Sequence, residues 1–542
     1  MAPFRDPTRR GLLSASAALG LTSVLPSCGG ARRVVEGGFR DGEHELGHGL
    51  RDGLFSGEPA REERTRVVVV GGGAAGASAA WRLLRAGVED LALLELGAGL
   101  GGTARGGEMA GVPHPWGAHY LPVPHRGQRA LCTFLEEAGV GSGYDADGRL
   151  RVPPEQLVRG PQERLWSWGS FEEGIWPSVG AQAEDLQQLE RFESLLDELN
   201  TPDADGRRAF ELPLTAANAR HRELDAVSAA DWAASHGLDS RRMRYYLEYA
   251  TRDDYGSHLE DCSAWALVHY FCARTLPGAS NSAEFMTWPE GNQRLVDLLA
   301  NGLGERARAQ QVVLRVTPSD DGDVELLVWD EPAQELVRWR CERAILATPQ
   351  FVNKHLIPRD PARRARLRFR YSSWVVANLH LERPPLERGF QPAWDSVIFE
   401  SDSLGYVDAT WQLDRAARDL VWTWYLPLCA SDERSARGKL YESTWEQWSA
   451  RVLDDLRRPH QDIDDCVTRI DVWRWGHGMI RPTPGFVWGP DRSQAALPFG
   501  GLHFGHSDLG GLPLFEVAQH QGVRAAEEVL TSLGHEFESL LT

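Results

Sequence analysis

Lysine is almost missing from this chain: Lys354 and Lys439 are the only two in 542 residues, so nearly all positive charge is carried by arginine. We read that as a bias of composition, not as a function. Positive charge is short overall. A formal net charge of −19 argues against nucleic acid as a partner, because a phosphate backbone calls for a basic surface. Cysteine is also scarce, with seven in the whole chain and no C-x-x-C pair, which excludes a disulfide scaffold. Cys341 sits in a strand-like run that suits burial as a small hydrophobe, whereas spacing neither supports nor rules out a bridge between Cys262 and Cys272. Long apolar runs are missing too, since the alanine-rich stretch after Arg10 is too short to span a bilayer as a mature helix. The body has no repeat period and no extended low-complexity tract. What remains is a chain long enough for two or more domains with substantial cores, and unusually rich in tryptophan, with twenty.

One segment specifies a nucleotide site. Val67 to Val70 reads as a buried strand, Ala74 to Arg85 as a helix stopped by Gly87, and Leu91 to Glu95 as the returning strand of a βαβ unit. The turn between them is Gly71-Gly-Gly73-Ala74-Ala75-Gly76. Gly71 permits the tight turn, Gly73 lets backbone approach a pyrophosphate, Gly76 lets helix pack on strand, and the helix N-terminus faces the negative charge. Glu95 can accept hydrogen bonds from ribose hydroxyls. A second glycine-rich loop follows, with Gly101, Gly102, Thr103 and Arg105, where more backbone can approach the same phosphates. Near the C-terminus, Leu502 to Asp508 reads as a short strand ending in an acid, followed by a helix from Phe515 whose positive end points at whatever lies before it.

These blocks resemble the flavin-containing amine oxidase superfamily, which includes monoamine and polyamine oxidases, protoporphyrinogen oxidases and carotenoid-type desaturases. The likeness runs in scattered blocks from about residue 66 to 535, specific at the two ends and looser between. It implies an α/β fold: a Rossmann-like (GR2-type) FAD-binding domain with a mixed-sheet plus helical substrate domain inserted. The expected layout gives the FAD domain residues 66–150, 285–350 and 470–542, and the substrate domain 151–284 and 351–469. Helices are expected over Ala183 to Glu198, Arg241 to Ala250 and Ser263 to Ala273, and strands over Ser372 to Leu381 and Leu420 to Leu426. The resemblance further implies that Asp508 binds FAD, that Phe515 lies against the flavin's pyrimidine edge, that Val313 holds the adenine by its backbone, and that Gly117 and Ala118 let backbone approach the ring. No cysteine falls in the tryptophan-rich block where some relatives attach flavin covalently, so FAD is expected to be noncovalent.

A flavin does the redox chemistry itself, so the protein mainly supplies shape, orientation and dryness. The expected pocket is therefore aromatic. Its candidate walls are Trp116, His119 and Tyr120, together with Trp473, Trp475 and His477, and the candidate catalytic positions are Trp374, Trp475, His477 and Tyr120. His119, His477 and His506 are the candidate acid–base groups.

The departures from the family pattern carry weight. Gly97, Gly99 and Thr103 stand where the family has arginines around its glycine pair, leaving backbone dipoles, the Thr103 hydroxyl or Arg105 to meet phosphate charge. The family's amine oxidases place a lysine near the flavin's reactive nitrogen, on a strand that Ser372 to Leu381 resembles, and Trp374 or a neighbour stands there instead. This shifts weight from amine oxidation with direct oxygen use toward dehydrogenation or desaturation of a carbon skeleton with another acceptor, a quinone or a protein. The expected function is hydride transfer from a small organic substrate, amine or carbon skeleton, to noncovalent FAD. Its alternative is a non-catalytic flavin protein acting as a membrane-tethered interaction module.

The N-terminus reads as an address. Arg9-Arg10 before an apolar run resembles a twin-arginine export signal, and Leu25-Pro-Ser-Cys28 resembles a lipoprotein processing site. Residues 1–27 are expected to be removed, leaving Cys28 lipidated and the protein a periplasmic or cell-envelope lipoprotein. Residues 28–65, rich in glycine, arginine and acids without apolar periodicity, read as a flexible tether. Within them His44-Glu-Leu-Gly-His48 has the H-E-x-x-H spacing of zinc ligands on a helix. Gly42, Gly47 and Gly49 flank or interrupt it and no third ligand follows nearby. A loop docked on the FAD domain is expected there, with no metal.

Overall fold

Four valines in a row, Val67–Val70, are fully covered on both sides, which only the centre of a layered sheet allows. In the computed structural model, which describes residues 34–214, 218–274, 284–319, 322–358, 367–413 and 419–541, that strand is the middle of five. The order is Ala307–Arg308, Leu91–Leu94, Val67–Val70, Arg343–Leu346, Leu502–Phe504, all parallel. Side chains alternate across it. Val67 and Val69 pack with Ala79, Leu83 and Val529 on the helices Ala74–Arg85 and Phe515–Ser532. Val68 and Val70 face a second layer, the four-stranded sheet of Gln311–Pro318, Val324–Asp330, Glu335–Cys341 and Arg61–Arg64. The expected βαβ unit and the returning C-terminal strand thus share one sheet.

The second body of structure is an eight-stranded mixed sheet, ordered Glu36–Phe39, Val467–Ile480, Tyr371–Leu381, Leu420–Leu428, Tyr406–Asp408, Asp395–Ile398, Glu163–Ser167, Ser170–Glu173. Period-two alternation decides what each face does. Val375, Ala377 and Leu379 join Trp422, Trp424 and Trp448 in an apolar core beneath the helices Glu433–Glu442 and Trp445–Leu456. Trp374 and Val376 point the other way, toward a cleft. The expected helices are present as Ala183–Asn200, Arg241–Tyr255 and Ala264–Cys272, clustered around Trp232 and Trp265. The expected strands are Tyr371–Leu381 and Leu420–Leu428. The fold is the mixed α/β architecture expected of an FAD-dependent oxidoreductase.

Two expectations need correction. The segment read as a tether is ordered from Glu36 onward: Glu36–Phe39 pairs with Val467–Ile480, and Arg61–Arg64 pairs with Glu335–Cys341. Its anchoring comes from backbone pairing at sheet edges and from charged side chains, such as buried Asp41 on Arg474, which leave no apolar period to read. Second, the His44–His48 stretch is a helix, Glu43–Asp52, not a loop. Its internal glycines serve packing, since a side chain at Gly49 would meet the Phe55 ring and one at Gly47 would approach Leu96. The expected signal peptide, with Arg9, Arg10 and Cys28, lies outside the described residues. The six cysteines Cys132, Cys262, Cys272, Cys341, Cys429 and Cys466 are buried and free, which answers the open question of a Cys262–Cys272 bridge.

Candidate active site

The fingerprint turn adopts the geometry its glycines permit. Gly71 sits at φ +98°, and the space a side chain would need at Gly76 is taken by the Gly71 carbonyl. The second glycine loop lies directly beside it: Gly101 N–H donates to the Gly72 carbonyl at 3.0 Å, Gly73 and Gly101 form a parallel bridge, and Gly102 backs onto Gly73. The helix from Ala74 starts at Gly73 with no side-chain cap and no acid in its first turn, so its free N–H groups are available to an anion. Glu95 is fixed at the groove edge, its carboxylate accepting from Gly72 N–H at 2.6 Å and Gly97 N–H at 2.8 Å. Burial raises its pKa, against the pull of those two N–H groups and of Arg105. Each oxygen keeps a lone pair for a ribose hydroxyl.

Farther along, the expected segments converge. Ala118 N–H donates to the Thr103 carbonyl at 3.0 Å, and a side chain at Gly117 would fall on that same carbonyl. The C-terminal helix begins at Phe515 with no side-chain cap at Leu514, and it can do so here because Gly522 lets it cross the fingerprint helix in contact with the Ala75 carbonyl. Val313 lies buried in Gln311–Pro318 beside a register shift that precedes Arg315. Bare backbone, two uncapped helix starts and a ribose-ready carboxylate make this groove fit FAD.

Thr103, Gly117, Ala118 and Phe515 open onto a cleft of about 990 Å3, its mouth included, that also holds Tyr120, Trp374 and Trp475. Trp374 and Trp475 are direct partners across adjacent strands. Trp475 donates its indole N–H to the Trp116 carbonyl at 2.7 Å and Trp374 donates to Ser372 Oγ at 2.9 Å, so both rings are locked. Trp473 stacks on Trp475 with centroids 5.1 Å apart. His119 stacks on Tyr425, whose hydroxyl donates to the Gly117 carbonyl at 3.0 Å. Burial lowers the His119 pKa to about 4, so this ring is neutral at physiological pH.

Behind the aromatic walls stands a set of carboxyl groups that the sequence reading did not name. Asp253, Asp254, Asp395 and Glu516 line the cleft, and Glu163 is the cross-strand partner of Asp395. Among the described residues that line the cleft one guanidinium, Arg274, faces them, and it is held by Asp254 at 2.5 Å. Burial, then the Asp254 charge, pushes Asp253 up to about 7. Burial likewise pushes Glu516 to about 7 and holds Asp395 well above the carboxylate range, with Glu163 and Asp253 adding repulsion. A signal existed: Asp253 follows buried Tyr249 by one helical turn, on the same side of Arg241–Tyr255.

Several expected site residues lie elsewhere: of the candidate walls, Trp116 and Trp473 pack on each other with centroids 5.5 Å apart and do not line the cleft. His477 does not line the cleft; it stacks on Phe351 at 4.0 Å, beside Tyr371, and burial together with Arg437, Lys354 and His48 lowers its pKa to about 3. Its strand passes through a register irregularity between Trp475 and Met479, which breaks the alternation that the sequence pattern assumed. The last strand ends at Phe504, and Asp508 sits beyond it in the short helix Ser507–Gly510, where its Oδ2 accepts from Gln350 N–H at 2.8 Å and from the Tyr371 hydroxyl at 2.6 Å, while His506 Nδ1 lies 3.0 Å from Oδ1. Burial opposes its charge, yet those partners hold its pKa below the usual range. Asp508 braces the turn from inside.

Residues 74–530 match the model of a family described as flavin containing amine oxidoreductase. A comparison with curated proteins finds no match. Among solved structures, a putrescine oxidase redesigned in its cofactor binding is 18% identical with a TM-score of 0.63, the alignment covering 86% of this chain and 99% of that one. The cyclohexylamine oxidase from Brevibacterium oxydans IH-35A is 18% identical with a TM-score of 0.62, covering 87% and 99%. A putative protoporphyrinogen oxidase from Exiguobacterium sp. 255-15 is 16% identical with a TM-score of 0.57, covering 87% and 100%. At these identities the likeness is one of fold.

Proposed function

Because the chain belongs to the flavin containing amine oxidoreductase family and is an FAD-dependent oxidoreductase, we propose that its substrate is a positively charged amine, oxidised at the carbon beside nitrogen. The observation that carries this reading is the partly buried carboxyl set of the cleft, in which Asp253, Asp395 and Glu163 share, among the described residues that line it, one guanidinium, Arg274, that Asp254 already holds. Carboxyl groups held out of water are costly unless a cation meets them, and a carbon skeleton without charge would leave that cost unrelieved. Two of the solved structures with this fold are oxidases of putrescine and of cyclohexylamine, which agrees with the reading.

FAD, when bound, supplies the two-electron acceptor. The chain does the rest. Trp374 and Trp475, fixed by their own hydrogen bonds, form a slot that orients the alkyl part of the substrate. Asp253 and Asp395 hold the ammonium, ionising as it enters. Thr103, Gly117 and the start of the Phe515 helix bring backbone against the cofactor. His119 is neutral and packed, and serves as wall.

Neither lysine lines the cleft, which supports an electron acceptor other than dioxygen, a quinone or a protein. The twin-arginine and Cys28 motifs support a lipid-anchored protein of the cell envelope, where a membrane quinone is at hand. Noncovalent attachment is supported by the lack of cysteine among the cleft residues.

The test is anaerobic. Purified yellow protein is mixed with putrescine, cyclohexylamine, their alcohol counterparts and an unsaturated fatty acid, and loss of flavin colour is followed. Amines should bleach the flavin and the alcohols should not. Bleaching by the fatty acid alone would overturn the amine reading in favour of carbon-skeleton dehydrogenation.

A further inference from the structure

The helix Glu43–Asp52 has no part in the chemistry above, yet its side chains converge on the cofactor groove. We propose that the segment Glu36–Arg64 is part of the FAD site, a strap that closes over the Glu95 side of the groove and sets how slowly the cofactor leaves.

The strap is fastened at both ends, to different sheets. Glu36–Phe39 runs parallel to Val467–Ile480 at the edge of the eight-stranded sheet, and Arg61–Arg64 runs parallel to Glu335–Cys341 in the four-stranded sheet. The helix therefore bridges the layer that carries the cleft tryptophans and the layer that carries Val313. Leu46 and Leu50 on its underside, and Phe55 just after its end, pack with Leu96 on Val312 and Leu314. On its other flank His44 stacks on Tyr441 at 4.9 Å, and Arg474 pairs with buried Asp41 at 2.9 Å. The two histidines of the H-E-x-x-H motif are thus aromatic packing against Tyr441, with His48 at 6.1 Å from the same ring.

Glu43 makes the contact that matters. One carboxylate oxygen accepts from Ala98 N–H at 2.8 Å, and the other pairs with Arg105, which in turn donates to the Gly99 carbonyl at 2.7 Å. Ala98 belongs to the loop that joins Glu95 to Gly101, the one that presents the ribose acceptor and the second phosphate-facing turn, and Arg105, which follows that turn, reaches back to the same loop at Gly99. Gly97 shows how closely the pieces fit: a side chain there would fall on the Arg105 guanidinium and the Glu43 carboxylate. The loop has no side chain at this point because the strap and Arg105 fill its place. Glu43 and Arg105 are both mostly shielded, at 28% and 12% exposure, so this tie is less weakened by solvent than a surface pair. For a dinucleotide to leave the groove, the loop must move, and the loop is pinned from outside by Glu43.

The proposal depends on FAD as cofactor and not on the identity of the substrate. Its test follows flavin release, read as recovery of free-FAD fluorescence from diluted holoenzyme, together with the thermal midpoint of the same sample. Glu43→Ala should release FAD about tenfold faster, as expected for losing hydrogen bonds to a charged partner. Glu43→Gln, which keeps an acceptor for Ala98 N–H, should fall between that variant and the parent. A Glu43→Ala protein that purifies folded but colourless would also support the strap. Unchanged release from folded Glu43→Ala overturns it, and so does faster release that merely tracks faster global unfolding.

Discussion

Asp253 concentrates the cost and the use of this cleft in one side chain. It faces Asp254, Asp395, Glu163 and Glu516, the hydroxyls of Tyr120, Tyr249 and Tyr270, and one cation, Arg274, which Asp254 already holds. With its pKa raised to about 7, the folded protein binds a proton there that the unfolded chain releases near the usual carboxylate range. Stability at this group is therefore fullest at low pH and declines as pH rises toward 7. Binding of an ammonium has the opposite sign, because it needs the ionised form. For a charged amine, kcat/KM should rise through pH 7 and fall below it. Asp253→Asn should abolish that limb and lower kcat/KM about a hundredfold, the scale of losing one partner of a desolvated charge pair. The same variant should melt at a higher temperature than the parent above pH 7. A variant with an unchanged pH profile would remove Asp253 from substrate binding. Sequence reasoning found Tyr120, Trp374 and Trp475 because an aromatic slot was expected from the resemblance. It passed over Asp253 and Asp395, because an aspartate beside helix or strand residues reads as solvated until the fold shows what covers it.

At the scale of elements, the C-terminal helix Phe515–Ser532 aims an uncapped N-terminus at the cleft only because it lies tight on the fingerprint helix. That contact turns on Gly522, where a side chain would collide with the Ala75 carbonyl. Gly522→Ala gains helix propensity but forces the helices apart, and the steric cost should win, lowering stability by about 1–3 kcal/mol. Since Phe515 would shift with the helix, FAD occupancy should fall as well. Thermal denaturation and the flavin-to-protein absorbance ratio of the purified variant read the two effects separately, and unchanged occupancy would disconnect this helix from the cofactor. Elements of this kind were legible. Strong periodicity gave a helix from Arg241 to Ala250 and a strand from Ser372 to Leu381, inside the observed Arg241–Tyr255 and Tyr371–Leu381, and glycine chemistry gave the turn at Gly71. The strap was not, because Glu36–Phe39 and Arg61–Arg64 are short and contain no fully buried residue, and they exist as strands only by pairing with edges supplied from 270 or more residues away. Local sequence holds no record of such a partner.

At the scale of the whole molecule, the FAD groove is assembled from pieces far apart along the chain: the Gly71 turn, Thr103, Gly117, Val313 and Phe515. None of them forms a site alone: the Leu502–Phe504 strand pairs with Arg343–Leu346, and the Phe515 helix that follows it lies on the fingerprint helix. FAD therefore binds a chain that has already folded, and it stabilises that fold in turn, by about 4 kcal/mol at a thousandfold excess over its dissociation constant. We propose that the protein works outside the cytoplasm, and a protein that takes up its cofactor only when folded then needs a route that carries folded cargo. The arginine pair at Arg9 and Arg10 is the feature of the sequence that answers this need. Replacing both by lysine preserves charge and apolar pattern, so a route that reads only those would be unaffected. The expected outcome is a precursor trapped in the cytoplasm with flavin bound, seen by fractionation and by yellow fluorescence of the released cofactor, while the parent is found in the envelope. Export of the double variant at the parent's level would show that the arginine pair is incidental, and with it would go the argument that loading precedes transport.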